Sequence, residues 1–217
     1  MSGPSTAGAV RSFDLRAVPP GDAYTLLTHA VAPRPIAWVS TVSTAGEPNL
    51  APYSYFNAGG QNPPSVVFVP NVNPDGTEKD SLRNARETGE YVINVAPRSH
   101  AAAMTVTAAG LPHGQSEWDL AGLSPVGSTV VKPGRVAGAA FALECRLFQI
   151  VPHGDGPGAA RYVIGEVVYA HVAAELLNPA GELSSLDSAV VGGLGRLGGD
   201  WYSDSRGDAL FRLDRPG

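Results

Sequence analysis

The sequence predicts a mainly β protein, a β-barrel with inserted helices, on three observations. Six or seven apolar runs rich in β-branched and aromatic residues recur along the chain, two short helix signatures interrupt them, and no regular strand–helix alternation links them. Gly and Pro, 26 and 19 of the 217 residues, stand between these runs rather than in one block, as the turns of a β-rich fold do. A dinucleotide-binding βαβ unit needs a Gly-rich strand-to-helix turn early in the chain, and none stands there. The later Gly192-Gly193-Leu194-Gly195 matches no phosphate-loop spacing and reads, alone, as a loop. No internal repeat points to a solenoid or propeller.

The small, polar start of the chain (1–12) reads as a disordered tail, and 13–217 as one domain. Residues 13–27 lead into the first strand, with Pro19-Pro20 arguing against a long helix. Residues 36–42 and 49–56, joined by turn residues, form a hairpin, and 65–69 is a short buried strand between prolines. A helix follows, with Thr77 and Asp80 as a cap pair, Leu82 and Ala85 on one face and Gly89 as its stop. Residues 91–95 read as a strand, 99–109 as an Ala-rich helix, and 111–127 as a Gly/Pro/Ser-rich excursion. Two long strands, 141–151 and 161–172, make a hairpin. By alternation Phe141, Leu143, Cys145 and Leu147 share one face of the first, and Val163, Val167, Tyr169 and His171 one face of the second.

Composition excludes several function classes. A net charge of −5 gives no basic face for wrapping nucleic acid, although one phosphate group can still be held locally. One cysteine, Cys145, excludes an internal disulfide and fits a reducing cytoplasm. Neither a signal peptide nor a run of about 20 apolar residues is visible. His29, His100, His113 and His153 show no metal-ligand spacing to one another or to Cys145, so no metal site is expected.

Two segments carry chemistry. Residues 34–41 and 49–57 bring hydroxyls, Asn side chains, an arginine and aromatics into one hairpin; hydroxyls and backbone N–H groups suit phosphate oxygens, and Asn and amides suit the donor–acceptor edge of an isoalloxazine. Singly, Trp38, Tyr53 and Phe56 read as core or interface aromatics. At Glu78-Lys79-Asp80-Ser81 a helix start offers N–H groups and a positive dipole end, with a cation and a hydroxyl beside them, which makes a phosphate seat; a solvated Lys with capping neighbours is the plainer reading.

In order, R-P-I-A-W-V-S-T (34–41), N-L-A-P-Y-S-Y-F-N (49–57), P-P-S-V-V-F (63–68), K-D-S (79–81) and T-G-E-Y-V-I-N-V (88–95) resemble the longer, flavoredoxin-like branch of the flavin reductase-like, FMN-binding split-barrel family. W-D-L-A-G-L (118–123), A-L-E-C (142–145), G-E-V-V-Y-A-H-V (165–172) and G-R-L-G-G (195–199) extend the resemblance from about Tyr24 to the C-terminus. It implies a six-stranded antiparallel Greek-key split barrel and a homodimer with FMN near the subunit interface; the segment around Trp38 and Tyr55 is aromatic enough to serve such an interface. Carried over by position, it implies FMN contacts from Arg34, Trp38, Ser40, Thr41, Asn49, Ala51, Ser54, Phe56 and Asn57, and phosphate contacts from Lys79, Asp80 and Ser81. Ser81 stands where such sequences more often have Thr, and keeps the hydroxyl. His171, on a strand whose end lies near the flavin in relatives, is the catalytic candidate; alone it reads as a satisfied core histidine. Arg196 is placed to reach a flavin or a nicotinamide phosphate. The implied activity is an NAD(P)H-dependent flavin reductase that passes electrons to a partner oxygenase, a metal centre or free flavin. Two alternatives stand beside it: an FMN electron carrier without NAD(P)H oxidation, and an FMN enzyme with its own organic substrate, for which the 111–127 excursion is a candidate pocket wall.

Overall fold

The structure is a computed structural model and describes residues 10–111, 115–187, 191–206 and 210. The tail expected over 1–12 therefore lies mostly outside the described residues, as does His113.

A helix, α1 (Pro20–Ala30), occupies the region read from sequence as a lead-in to the first strand. Pro20 is its first residue, where a proline's missing N–H is no loss and its fixed φ suits the helix, so the Pro19-Pro20 pair starts this helix rather than preventing it. The strands β1 (Arg34–Pro35), β2 (Ala37–Val42), β3 (Pro48–Tyr53), β4 (Phe56–Gln61) and β5 (Pro64–Phe68) follow. The expected second arm of the first hairpin thus stops at Tyr53, and Phe56 opens the next strand. Helix α2 (Asp80–Thr88) leads through Gly89 into β6 (Glu90–Val95). Then come α3 (Ala101–Val106), α4 (Glu117–Leu120), β7 (Pro125–Val126), β8 (Arg135–Val136), β9 (Phe141–His153), β10 (Ala160–Val172), β11 (Leu194–Arg196) and β12 (Tyr202–Asp204).

Seven strands, rather than the expected six, form the main antiparallel sheet in the order β3-β2-β6-β9-β10-β5-β4. Its two outermost strands, β3 and β4, are joined by only Ser54 and Tyr55, so the sheet has to curl until its edges meet. The interior confirms the curl. Ala37 and Val39 of β2, Tyr53 of β3, Phe68 of β5, Ile93 of β6, Cys145 of β9 and Val163 of β10 pack in one cluster, which Leu82 and Ala85 of α2 complete. This is a split barrel with a helix closing it. Gly89 ends α2 in the left-handed region at φ 72°, which suits glycine, and its N–H donates to Ala85 O, as the sequence predicts. Thr77 does not cap the helix; Lys79 is the N-cap, and the Thr77 hydroxyl turns back to Asp75 Oδ1 at 2.6 Å.

A second cluster covers the outside of β2 and β3: Ile36, Trp38 and Leu50 meet Met104 of α3, Trp118 of α4 and Val136 of β8. Buried on both faces, β2 reads as a continuous apolar run instead of an alternating one.

Alternation also fails in β10. There β9 and β10 slip register between Val167, opposite Cys145, and Tyr169, opposite Glu144. The extra residue, Val168, is a β-bulge, and a bulge reverses the side-chain faces beyond it. Val163 therefore lies in the barrel interior, whereas Tyr169 and His171 share the outer face with Glu144 and Ala142, not the one face that the sequence predicts.

On the interior side, Gly165 leaves no room for a side chain: a Cβ there would lie 1.9 Å from the Tyr91 hydroxyl oxygen and 2.9 Å from Arg146 O. Gly165→Ala is expected to destabilise the fold by about 1–3 kcal/mol through overpacking, measured by urea denaturation. Adding Tyr91→Phe should restore only part of the loss, since the ring carbon Cζ would still be 2.7 Å from the new methyl group.

Candidate functional site

A cleft of about 590 Å³ opens where α2 starts against β3. Its floor is Asn49, Ala51, Pro52 and Tyr53 of β3. One wall is the turn and helix start from Asn73 to Ser81, with Arg83; the other is Thr107–Leu111 with Glu117 of α4. The volume falls within the roughly 300–1,000 Å³ usual for small-molecule sites.

Local sequence builds the α2 side. The turn at 73–77 is closed by Asn73 N–H to Thr77 O at 2.9 Å and by the Asp75 carboxylate, which accepts from Thr77 N–H at 2.9 Å. The backbone bonds inside α2 begin with Leu82 and Arg83 N–H to Lys79 O, so the first-turn N–H groups lie outside the helix ladder, at the positive end of the dipole. Buried Ser81 accepts from Asn49 Nδ2 at 2.8 Å, and the same amide reaches Thr41 Oγ1 at 3.3 Å. Asn84 Nδ2 also donates to Thr41 Oγ1, at 3.1 Å. This buried hydroxyl–amide network fixes the start of α2 on β2 and β3.

Of the sequence-predicted residues, Asn49, Ala51, Lys79, Asp80 and Ser81 come together on this cleft, with Thr41 directly beneath. The others lie elsewhere. Trp38 is fully buried in the outer cluster, its Nε1 donating to Thr107 Oγ1 at 2.8 Å, so its ring serves the chain's own core rather than an interface. Ser40 donates to Gly134 O at 2.5 Å. Arg34, 3 % exposed, is a structural clamp: it donates to Thr28 O at 2.5 Å, Val31 O at 3.0 Å and Leu197 O at 3.0 Å, with Ser54 Oγ at 3.4 Å. Phe56 packs on the barrel core and, with Arg34, borders a separate cavity of about 250 Å³ near β11. Asn57 is exposed, its Oδ1 accepting from Ala58 N–H at 2.9 Å. Arg196 stacks over the Tyr202 ring at 4.5 Å and donates to the Tyr202 hydroxyl and to Gly199 O.

His171 faces a different constellation. Its Nε2 lies 2.6 Å from Oε1 of Glu144, a fully buried carboxylate that also accepts N–H bonds from Thr129 (2.7 Å), Val130 (2.7 Å) and Val131 (3.1 Å). Burial alone would raise the Glu144 pKa; the His171 contact and the three N–H bonds together outweigh it and hold the carboxyl below its ordinary range. None of these groups lines the cleft.

Sequence reasoning missed Tyr53 and Glu117 as cleft residues. The signal for Glu117 was present: Ser116-Glu117-Trp118-Asp119 is a helix-capping pattern, and Ser116 Oγ does accept from Trp118 N–H at 3.3 Å. The motif announces the four-residue α4 but not which way its first residue points. Cys145 is buried and its thiol pKa is pushed up by burial, as expected of an inert core cysteine.

Among the described residues no group of His, Cys, Asp and Glu has metal-binding geometry, and no helix is long and apolar enough to cross a membrane. The family described as Flavin reductase like domain matches residues 29–186. An uncharacterised protein of Halalkalibacterium halodurans is 38% identical over 195 residues, covering 89% of this chain and 90% of its own. Among solved structures, nitrilotriacetate monooxygenase component B from Bacillus cereus superposes with a TM-score of 0.85 at 36% identity, covering 97% of this chain and 100% of its own. The 2-nitrobenzoate 2-nitroreductase of Pseudomonas fluorescens superposes with a TM-score of 0.82 at 28% identity, covering 95% and 96%.

Proposed function

We propose that this chain, which belongs to the flavin reductase-like family, is an FMN-binding oxidoreductase that takes a hydride from NAD(P)H and hands the electrons to a partner or to free flavin. The observation that carries the reading is the cleft itself. A cation (Lys79), a hydroxyl (Ser81) and first-turn N–H groups stand at one end, and Ala51, Pro52 and residues 108–111 offer small, largely apolar surface beyond. The donors fit a phosphate monoester and the volume fits the tricycle attached to it. Lys79, Ser81 and the α2 start would hold the phosphate; Asn49, Ala51 and Tyr53 would line the rest. Bound FMN supplies the hydride chemistry, and the chain supplies orientation and a hydrogen-bonding environment. Hydride transfer to a flavin requires no protein nucleophile or general base. A homodimer in the cytoplasm is part of the proposal.

A second reading has its own support. The 28% identical nitroreductase acts on an organic substrate, and the cleft here runs up to Leu111, where the 111–127 segment begins. A tightly held FMN serving a substrate of this chain's own would use the same seat.

The test is direct. Protein mixed with FMN and desalted should keep, or rebind on titration, a stoichiometric flavin, and it should oxidise NADH or NADPH in the presence of free FMN. Flavin binding without NAD(P)H oxidation favours the carrier or own-substrate reading; no binding of any flavin overturns the proposal.

A further inference from the structure

Four carboxylates line the cleft beside a seat assigned to a phosphate, and their surroundings differ. Asp75 accepts two bonds from Thr77, Glu78 is paired with Arg86 at 2.8 Å, and Asp80 is paired with Arg83. Glu117 makes no ion pair among the described residues, although Lys79 and Arg83 line the same cleft. Its Oε2 accepts Leu50 N–H at 3.2 Å, and its own backbone N–H is the other donor facing it. The residue is 7 % exposed and stands within electrostatic reach of Asp80. An ionised Glu117 would be a buried, unpaired negative charge next to a second carboxylate and an incoming phosphate, an arrangement that proteins avoid by keeping the group neutral.

We propose that Glu117 holds a proton at the phosphate end of the cleft, so that FMN binds together with an uncharged Glu117 carboxyl and riboflavin does so without this requirement. The proposal rests on the reading of the α2 start as the phosphate seat. Burial first, and the charge of Asp80 after it, raise the Glu117 pKa above the ordinary carboxylate range, in keeping with this role. The other charged or titratable groups lining the cleft with it are Asp80 and Arg83 on α2, Lys79 at its N-cap, Asp75 and Glu78 before it, and Tyr53 on β3. Burial raises the Tyr53 phenol far enough to stay neutral. Asp119, on the same helix as Glu117, is exposed to solvent.

The sign follows from linkage. A ligand that favours the protonated form binds more weakly once pH exceeds the free-state pKa of that group, by up to about tenfold per pH unit across its titration. The second ionisation of the FMN phosphate, near pH 6, acts in the opposite sense by adding charge for Lys79. Comparing variants therefore isolates Glu117. FMN and riboflavin affinities are measured by flavin fluorescence quenching from about pH 5 to 9 for the native chain, Glu117→Gln, Glu117→Asp and Lys79→Ala, with circular dichroism confirming the fold of each. The expected result is an FMN affinity that falls with rising pH in the native chain and in Glu117→Asp more steeply than in Glu117→Gln, with riboflavin affinities flat throughout. Superimposable FMN profiles for the native chain and Glu117→Gln would overturn the inference, as would a Glu117→Gln loss equal for both flavins. If Glu117→Gln does not fold, Glu117→Asp against the native chain decides through the position of the titration, which must move with the shorter carboxyl. Lys79→Ala separates the two levels: where it spares riboflavin and weakens FMN, the seat stands and only the Glu117 assignment is at stake; where it weakens neither, the seat itself falls.

Discussion

Replacing Lys79 by alanine should weaken FMN binding about ten- to a hundredfold while leaving riboflavin affinity nearly unchanged. Lys79 is the N-cap of α2 and lines the cleft, and its side chain makes no ion pair among the described residues. If Lys79 holds the phosphate as proposed, removing it takes away one charge-assisted hydrogen bond, worth roughly 1.5–3 kcal/mol, or about one to two powers of ten in affinity. Selectivity is the measurement that matters. Misfolding would weaken both flavins alike, because both need the same barrel, and a merely solvated Lys79 would leave both affinities where they were. Asp80 carries the wrong charge for direct phosphate contact and is paired with Arg83, so Asp80→Asn should cost FMN less than Lys79→Ala does. The reverse order would mean that the helix start meets the ligand differently.

The largest stability loss is expected at Glu144. Its carboxylate is fully buried, and it accepts three backbone N–H bonds from residues 129–131 together with the contact from His171. Glu144→Ala leaves three donors without their acceptor, and breaking a buried, hydrogen-bonded pair typically costs about 3–5 kcal/mol. Urea denaturation at neutral pH should show a loss of that order; a loss below about 1 kcal/mol would mean that the 129–131 loop finds other partners. The pH dependence has a definite sign. The Glu144 pKa is held below its unfolded value, so the stability it contributes is complete above the ordinary carboxylate range, near pH 4.3, and is lost as pH falls through the folded value. Glu144→Gln should therefore lose less stability on acidification than the native chain loses.

Much of the fold was legible because its signals are local. Gly89 stops α2, the 154–159 turn joins two long strands, and the clustered prolines fence short ones. Where reading failed, a non-local cause had intervened. The Val168 bulge adds one residue to β10, and alternation counted through it puts His171 on the same side as Val163, although it lies opposite, against Glu144. Proline rules discouraged a helix at Pro19-Pro20, but the first helical position is where proline is tolerated. At the site, Lys79 and Ser81 were legible because helix-start chemistry is contiguous, whereas Glu117 was not, because only the outer packing of α4 on β3 brings it to the cleft. The hairpin residues Arg34, Trp38 and Ser40 are as polar or aromatic as their neighbours on the cleft. Nothing in a sequence tells which face of a strand buried on both sides a residue takes, and here their partners are backbone carbonyls and a threonine hydroxyl of the chain itself.

The Asn49 side chain touches both Thr41 and Ser81, at 3.3 and 2.8 Å, and so ties a strand to a helix start 32 positions further along the chain. The cleft is assembled from residues as far apart in sequence as Asn49 and Glu117, so it forms only when the chain has folded. Whatever occupies it binds the folded chain and not the unfolded one, and the two equilibria are coupled by mass action. At a free concentration one hundred times its dissociation constant, such an occupant adds about 2.7 kcal/mol to the free energy of unfolding. The melting temperature of this protein is then set jointly by the chain and by the medium around it, and it should rise with the free concentration of the occupant.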